Sequence, residues 1–299
     1  MTSIAIISWW ERMPDRVCGS GRSTAKVPAR PPMSSARPND RRHDKHTVSQ
    51  HFGRAARSYD EHAVLQLAVG RSLVQRLPDS LPVKHALDLG CATAPFARAQ
   101  QQALPDVQWQ AVDLSAAMLA EAAERGRLDG TYQPLCADAE NLPLPAASQG
   151  LVFSCFALQW CDPLRVMEEV SRVLAPGGRL LLAVPLSGSL RELQTSWQRV
   201  NQHPHVNTLP SLSHWRDAAL SAGFADANLQ QQVMVEYYDS VKAIARRLKA
   251  TGADHVSGAS GLTGKNAWQA MVHEYETLRT EQGLPLTWNV LFLDAEKLS

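Results

Sequence analysis

Short apolar segments alternate with amphipathic segments from about residue 50 onward. The apolar segments are rich in Val and Leu, as strands buried on both faces of a sheet should be. The segments that predict strands are 85–89, 109–114, 132–138, 151–155 and 179–184. Strands that alternate with helices are typical of a parallel sheet with right-handed crossovers, so the pattern predicts a doubly wound α/β fold.

Capping residues indicate where the helices begin and end. Ser115 is a good N-cap for a helix that ends before Gly126. The pair 162–163, Asp then Pro, suits the start of another helix, which the Pro-Gly-Gly segment 176–178 would end. Before the first strand, leucine and valine residues four positions apart predict a helix over 61–77.

The C-terminal third departs from this alternation. Residues 213–222 predict a helix that Gly223 ends, and two further strands are predicted at 229–238 and 287–293. The segment between these strands is longer than a hairpin needs, and we expect it to form helices over one end of the sheet. The prediction is therefore a mostly parallel, seven-stranded sheet with a C-terminal helical lid. The helical insertions are expected at about 186–222 and 239–286.

The first 46 residues differ from the rest because Pro, Ser and Arg dominate them. Such a segment cannot bury enough apolar surface to order itself. Residues 1–46 are predicted to be a disordered leader, or the product of a start codon assigned upstream of the true one, with Met33 as the alternative start. A functional arm is the less favoured interpretation. The folded domain is predicted to cover residues 47–299.

Charge and cysteine content argue against several classes of protein. The 30 Lys and Arg residues nearly balance the 29 Asp and Glu residues, which argues against a nucleic-acid partner bound by bulk charge. No apolar stretch approaches the ~20 residues of a membrane span. The five cysteines form no CxxC pair and are interpreted as reduced thiols of a cytoplasmic protein. His203 and His205 have no acid or cysteine at metal spacing nearby, so no metal site is predicted.

Acidic residues end three successive predicted strands. Asp88, Asp113 and Asp138 are expected to face one crevice, because ligands of an open α/β sheet bind beyond the carboxyl ends of its strands. A carboxylate at the second strand end can accept both hydroxyl groups of a ribose, and Asp138 could accept an adenine amino group. Asp88 is expected to order the loop after the first strand and to help balance a cationic ligand.

This pattern resembles the class I methyltransferase family, whose loop reads acid-x-Gly-x-Gly-x-Gly. Here Ala92 and Ala94 stand where glycine is usual, and a positive φ at either position would strain the loop. A nicotinamide dehydrogenase is the competing interpretation, but residues 90–95 lack the second and third glycines of its fingerprint. The resemblance implies S-adenosylmethionine as the cofactor. The residues predicted to bind it are Asp88, Gly90, Ala92, Asp113, Leu114, Asp138 and Ala139.

Several further segments resemble the malonyl-carrier-protein O-methyltransferases of biotin synthesis. These segments are 52–56 with 58–59, 158–161, 188–193, 203–207, 246–249, 252–253 and 284–287. The resemblance implies methyl transfer to the free carboxylate of a malonyl thioester on an acyl-carrier protein, an early step of biotin synthesis. A carboxylate is already ionised at neutral pH, so the reaction needs positioning and no general base.

The resemblance also suggests roles for particular side chains. Tyr59, Gln159 and Trp160 are predicted to shape the methyl-transfer pocket. Arg54, Arg191 or Arg246 is expected to hold the substrate carboxylate. Because carrier proteins are acidic, the cluster of Arg246, Arg247 and Lys249 is predicted to dock the carrier.

Two other functions remain open at this point. A methyltransferase of the same class could act on a small molecule such as a quinone precursor. A non-catalytic relative that binds the cofactor and acts as an assembly or chaperone protein would also fit, because alanines replace glycines in the loop.

Overall fold

The structure is a computed structural model that describes residues 44–251 and 264–298. Seven strands form one sheet in the order β3-β2-β1-β4-β5-β7-β6. Strands β1 to β5 run parallel to one another, and β7 is antiparallel to both β5 and β6. The strands are β1 (His85–Leu89), β2 (Gln108–Asp113), β3 (Tyr132–Cys136), β4 (Gln149–Cys155), β5 (Leu174–Pro185), β6 (Asn228–Tyr238) and β7 (Leu284–Glu296). The predicted fold class and the number of strands are confirmed.

Helices cover both faces of this sheet. The helices are α1 (Lys45–Ala55), α2 (Tyr59–His62), α3 (Val64–Val74), α4 (Ala97–Ala103), α5 (Ala116–Glu124), α6 (Pro163–Val173), α7 (Arg191–Gln198), α8 (Leu212–Ser221), α9 (Val241–Ala250) and α10 (Lys265–Glu276). Side chains alternate along each strand, so Leu180 and Leu182 pack on α6 and α8 while Leu181 and Ala183 face the opposite layer. That opposite layer contains α3, α4, α7, α9 and α10.

The caps that the sequence predicted agree with the structure in most places. The carboxylate of Asp162 accepts hydrogen bonds from the backbone N–H groups of Leu164 and Arg165 at the start of α6. Ser115 precedes α5, but its side chain makes no capping bond. Instead its backbone N–H donates to Oδ1 of Asp113 at 2.8 Å. The end of β2 and the start of α5 are therefore joined through an acidic side chain.

Several predicted boundaries were wrong, and two of the differences change how the chain divides into elements. The single helix expected over 61–77 is interrupted at Ala63, where ψ is 34°, and becomes the separate helices α2 and α3. Helix α6 ends at Val173, and β5 starts at Leu174, before the Pro-Gly-Gly segment that was expected to divide helix from strand. A register shift in the pairing of β4 with β5 accommodates that segment within the strand.

The predicted leader, residues 1–46, lies almost entirely outside the described residues. Of that segment, Asp44 caps α1 and Lys45 begins it, so α1 starts slightly before the predicted boundary of the folded domain. In the described parts of the chain, no helix is long and apolar enough to cross a membrane. The predicted insertions contain α7 to α10, but α8 packs against α6 on the opposite face from α9 and α10. It is therefore not part of a lid.

Candidate active site

A cavity of about 610 Å³ lies at the carboxyl ends of β1, β2, β3 and β4. The strand order reverses between β1 and β4, and this reversal is where doubly wound sheets bind their ligands. Its walls combine small and apolar residues with two acids, Asp113 and Asp138. We call it the cofactor cavity. Its lining includes Lys45, Val48, Phe52, Tyr59, Gly90, Ala92, Asp113, Leu114, Asp138, Ala139, Leu158, Trp160 and Cys161.

Asp113 is the last residue of β2 and projects into this cavity. Its Oδ2 accepts a hydrogen bond from the backbone N–H of Ala92 at 2.9 Å, and its Oδ1 accepts one from Ser115. Burial raises the pKa of Asp113 to about 6, although the two backbone N–H groups act in the opposite direction. Each carboxylate oxygen can accept a further hydrogen bond, so the pair can receive the two hydroxyl groups of a ribose.

The loop after β1 has three residues with positive φ. Gly90 has φ 72°, and a Cβ there would lie 2.1 Å from the Cβ of Ala157. Ala92 and Ala94 both have φ 49°. The strain that was expected if these positions required positive φ is therefore present. A non-glycine residue in this conformation costs about 1–3 kcal/mol, which the surrounding structure must offset.

Asp138 lies two residues beyond β3 and is bound by a lysine from α1. Its Oδ1 accepts hydrogen bonds from the Nζ atom of Lys45 at 3.1 Å and from the backbone N–H of Glu140 at 3.0 Å. Lys45 also pairs with Glu140 at 2.9 Å and lies 3.3 Å from Sγ of Cys161. Burial opposes the charge of Lys45, but Cys161 and the two acids outweigh it and raise the pKa of the lysine. Sequence reasoning missed Lys45 because it fell within the predicted leader.

The prediction that all three aspartates face one crevice is wrong, because Asp88 does not line the cofactor cavity. Asp88 is level with Ala111 in the sheet, whereas Asp113 is level with Cys136, so Asp88 lies two residues deeper. It is 2% exposed and lines a smaller adjoining cavity, of about 330 Å³, together with Tyr59, Gly90 and Ala92. Burial raises the pKa of Asp88 to about 7, and the charge of Asp113 adds to the effect. Asp88 therefore lies beneath the loop that follows β1.

A second cavity, of about 750 Å³, adjoins the first, and we call it the substrate cavity. The two cavities share four aromatic residues, Phe52, Tyr59, Phe156 and Trp160. Phe52 packs edge-on against Trp160, with 5.8 Å between ring centroids. We call these four residues the aromatic wall. Two of the predicted catalytic residues, Tyr59 and Trp160, lie in it, and the third, Gln159, lines the substrate cavity only.

Comparison with known proteins decides which class of enzyme has this geometry. The family model described as a methyltransferase domain matches residues 87–182. A malonyl-[acyl-carrier protein] O-methyltransferase of Alcanivorax borkumensis is 78% identical over 297 residues, which are 99% of this chain and 94% of that protein. The chain belongs to this methyltransferase family. S-adenosylmethionine is its methyl donor.

A second curated relative agrees with that assignment, and a solved structure agrees with the fold. The biotin biosynthesis bifunctional protein BioHC of Cellvibrio japonicus is 35% identical over 253 residues, covering 84% of this chain and 50% of that protein. The structure of phosphoethanolamine N-methyltransferase 2 of Haemonchus contortus with S-adenosylmethionine superposes with a TM-score of 0.52 at 21% identity. It covers 86% of this chain and 58% of that chain, and it supports the fold alone.

The cofactor cavity of the methyltransferase fits an adenine nucleoside with a cationic methionine end. Asp113 offers acceptors for a ribose, while Leu114, Ala139 and Leu158 provide apolar surface for a base. The Oδ2 atom of Asp138 takes no part in the contacts with Lys45 and Glu140, so it can accept from an amino group. Gly90 has no side chain, and a Cβ there would collide with Ala157 of the same cavity wall.

None of the arginines predicted to hold the substrate carboxylate lines the substrate cavity. Arg54 is exposed and donates to the carbonyl of Gln50, and the side chain of Arg191 is 64% exposed beside Glu192. Arg246 is exposed on α9. The same helices present apolar residues to the cavity instead, such as Leu193 and Leu248. The described residues that line this cavity include neither lysine nor arginine.

Arg247 is buried, so the prediction that it helps to dock a carrier protein is wrong. It is 6% exposed, and its Nη2 atom lies 3.0 Å from Oε1 of Gln66 and 3.4 Å from Oε1 of Glu236. Arg246 and Lys249 are exposed on the same helix. Arg247 lies three residues after the buried Ile244, and this helical spacing could have placed it on the apolar face.

Proposed function

We propose that the methyltransferase transfers a methyl group from S-adenosylmethionine to the free carboxylate of a malonyl thioester on an acyl-carrier protein, an early step of biotin synthesis. The observation that carries this proposal is the aromatic wall, because it separates two cavities with different linings. The names of the relatives from Alcanivorax and Cellvibrio support the substrate and the pathway. A methyl group that leaves the cofactor cavity for the substrate cavity must cross between the rings of this wall.

The charges of the reactants suit the substrate cavity. S-adenosylmethionine supplies a methyl group on a cationic sulfur. A new bond forms between that carbon and a carboxylate oxygen, the bond to sulfur breaks, and the sulfur retains the electron pair. An anion and a cation disappear together, so an apolar cavity closed to water favours the step. With neither lysine nor arginine among the described lining residues, the carboxylate meets its opposite charge at the reacting sulfur.

Tyr59 is the proposed hydrogen-bond donor that orients the substrate carboxylate. It lies in the aromatic wall and is 6% exposed. Burial raises the pKa of its hydroxyl, as does the nearby Cys155, so the group stays protonated and can donate a hydrogen bond. A donor that contacts one carboxylate oxygen leaves the other free to attack. Phe52, Phe156 and Trp160 then exclude water from the reacting atoms.

The exposed side of α9 is the proposed docking site of the carrier protein. Leu248 and Thr251 line the substrate cavity, while Arg246 and Lys249 point to solvent from the same part of the chain. Two cations beside a cavity suit an acidic partner whose thioester must enter that cavity. We place the reaction in the cytoplasm, because the four described cysteines are all free thiols.

The test is transfer of a labelled methyl group. The purified enzyme is incubated with labelled S-adenosylmethionine and malonyl-carrier protein, malonic acid or a phenolic quinone precursor in parallel. The expected result is label in an ester on the carrier protein only. Label in a free acid or a phenol alone would contradict the proposal and favour a small-molecule methyltransferase. A protein that binds the donor but transfers label to none of these acceptors would favour the non-catalytic alternative.

Calorimetry with a matched pair of variants tests the cofactor site separately. Removal of the Asp113 carboxylate in Asp113→Ala should weaken donor binding about 100-fold, since two hydrogen bonds to a charged group are lost. Asp106→Ala is the control, because Asp106 is an exposed acid just before β2. Equal affinities of the two variants would show that the ribose does not contact Asp113.

A further inference from the structure

Two hydrogen-bond acceptors of the substrate cavity have no partner among the residues that the structure describes. The Oε1 atom of Gln159 and the Nδ1 atom of His205 are buried, and neither makes a hydrogen bond within residues 44–251 and 264–298. Both residues line the cavity, with 8% and 6% of their surface exposed. Because a buried acceptor without a donor is destabilising, a retained pair of them in a cavity points to a ligand that brings donors.

The neighbours of these two side chains fix which atom is left unpaired. Nε2 of Gln159 donates to the carbonyl of Phe156 at 2.9 Å, so the amide oxygen is the free atom. Nε2 of His205 lies 2.9 Å from Oδ1 of Asn201, and that oxygen also accepts from the backbone N–H of His203. Because the amide oxygen of Asn201 carries no proton and can only accept, Nε2 of His205 must carry the proton. Nδ1 is therefore an acceptor.

The ring of His205 is also held in position and uncharged. It stacks on Trp197 with 3.7 Å between ring centroids and an angle of 11° between the planes. Burial lowers the pKa of His205 to about 4, and the neighbouring His203 contributes to the effect. At neutral pH the imidazole is therefore uncharged, and its Nδ1 atom presents a lone pair to the cavity.

A carboxylate cannot satisfy these two atoms, since it has only acceptors of its own. Two other polar side chains of this cavity already have partners, since Oε1 of Gln66 accepts from Arg247 and the hydroxyl of Thr251 donates to the carbonyl of Arg247. Gln159 and His205 also lie outside the aromatic wall, where the methyl group crosses. They therefore contact a part of the substrate that does not react.

We propose that Gln159 and His205 bind amide N–H groups of the arm that carries the malonyl thioester, an arm of the pantetheine type. This inference rests on the proposed function and extends it, because it names the residues that recognise the unreactive part of the substrate. An arm of this kind has two amide groups beyond its sulfur and enters an apolar cavity with two donors. Free malonic acid has no amide donors and would leave the acceptors of Gln159 and His205 unpaired. The cavity should therefore bind malonic acid more weakly than the thioester.

A series of malonyl thioesters with fewer amides tests this assignment. Malonyl-pantetheine has two amides, malonyl-N-acetylcysteamine has one, and a malonyl thioester of a simple alkanethiol has none. The wild-type kcat/KM should fall at each step, by about 5- to 100-fold per amide, the range that one buried hydrogen bond gives. His205→Phe keeps an aromatic ring on Trp197 and removes the acceptor. In this variant, one of the two decreases in kcat/KM along the series should therefore disappear.

Matched variants separate recognition from folding. His205→Asn retains an acceptor near the position of Nδ1 and should recover part of the amide preference. His203→Phe is the control because His203 is exposed and does not line the cavity, and it should behave as wild type. Calorimetric binding of S-adenosylmethionine should be equal in all of these proteins.

The outcomes distinguish this inference from the proposed function. Equal turnover of the three thioesters by the wild-type enzyme would overturn the inference alone. So would an equal loss on all three in His205→Phe, since that loss would not depend on the amides. If the wild-type enzyme methylates no malonyl thioester, the proposed function fails and the inference fails with it.

Discussion

The hydroxyl of Thr93 donates a 2.5 Å hydrogen bond to Oδ1 of Asp60, which joins the loop after β1 to helix α2. Arg127 completes the connection, because its Nη2 atom contacts Oδ2 of Asp60 at 2.5 Å and its Nη1 atom donates to the carbonyl of Thr93 at 2.9 Å. Thr93 lies between the two alanines of positive φ, and Asp60 follows Tyr59 of the aromatic wall. One carboxylate thus holds both the strained loop and a wall residue in place.

Replacement of Asp60 should therefore weaken donor binding without removing any group that contacts the donor. We expect Asp60→Ala to raise the dissociation constant of S-adenosylmethionine about 10-fold and to lower the free energy of unfolding by about 1–3 kcal/mol. Calorimetry and denaturant unfolding measure the two effects. Arg125 pairs with Asp60 at 2.9 Å and with Glu121 at 2.8 Å, so Glu121→Ala is the control that removes one partner of Arg125 and leaves Asp60 intact. An Asp60 variant that binds the donor as tightly as this control would contradict the role.

Glycine at the two strained positions should stabilise the loop. Ala92→Gly and Ala94→Gly relieve a cost of about 1–3 kcal/mol in the folded state and add about 0.5–1 kcal/mol of backbone entropy to the unfolded state. A net gain of roughly 0.5–1 kcal/mol in the free energy of unfolding is expected for each. Ala120→Gly, in the exposed middle of α5, should instead lose about 1 kcal/mol. Equal losses at all three positions would show that the loop is not strained.

Donor affinity should depend on pH more steeply than product affinity. The pKa values of about 7 for Asp88 and about 6 for Asp113 mean that the empty site holds protons at mildly acidic pH. S-adenosylmethionine carries one more positive charge than S-adenosylhomocysteine and favours the ionised carboxylates, so its binding releases protons. Its dissociation constant should rise as the pH falls below about 7, by at most about 10-fold per pH unit for each group.

Calorimetry in buffers of different ionisation enthalpy counts the released protons, and Asp88→Asn should remove the part of the pH dependence near pH 7. S-adenosylhomocysteine is the matched control ligand. Identical pH profiles for the two ligands would mean that neither carboxylate senses the charge of the donor.

Charge reversal on α9 should impair only the carrier-bound substrate. The double variant Arg246→Glu with Lys249→Glu should raise the KM for malonyl-carrier protein about 10-fold or more at low salt, and added salt should reduce the difference. The KM for malonyl-pantetheine should not change, since neither residue lines the cavity. Arg216→Glu, an exposed change on α8 in the opposite layer, is the control. An unchanged KM for the carrier substrate would reject this docking surface.

Local patterns were enough to predict seven strands and approximately where each lies along the chain. β1 was predicted residue for residue because a short apolar strand has few alternative registers. The start of β5 was missed because Pro and Gly normally interrupt a strand, whereas here a register shift absorbs them. The sequence could not reveal this, since the shift depends on pairing with β4.

The depth of a side chain in the sheet was also beyond sequence reasoning. Asp88, Asp113 and Asp138 are equally spaced along the chain, yet Asp88 lies two residues below Asp113 and Asp138 lies two residues beyond β3. An offset of two residues along a strand corresponds to ~7 Å, and this distance decides which cavity each acid reaches. Adjacent residues of α9 differ in the same way, because Arg246 faces solvent and Arg247 faces Gln66.

Helix α1 has a consequence for the end of each catalytic cycle. Lys45, Val48 and Phe52 form one side of the cofactor cavity, and Lys45 is tied to Asp138 and Glu140 on the segment after β3. These two ion pairs hold α1 against the segment after β3 and close this side of the cofactor cavity. If the product leaves on this side, the rate of its release depends on how often the ammonium group of Lys45 dissociates from both carboxylates.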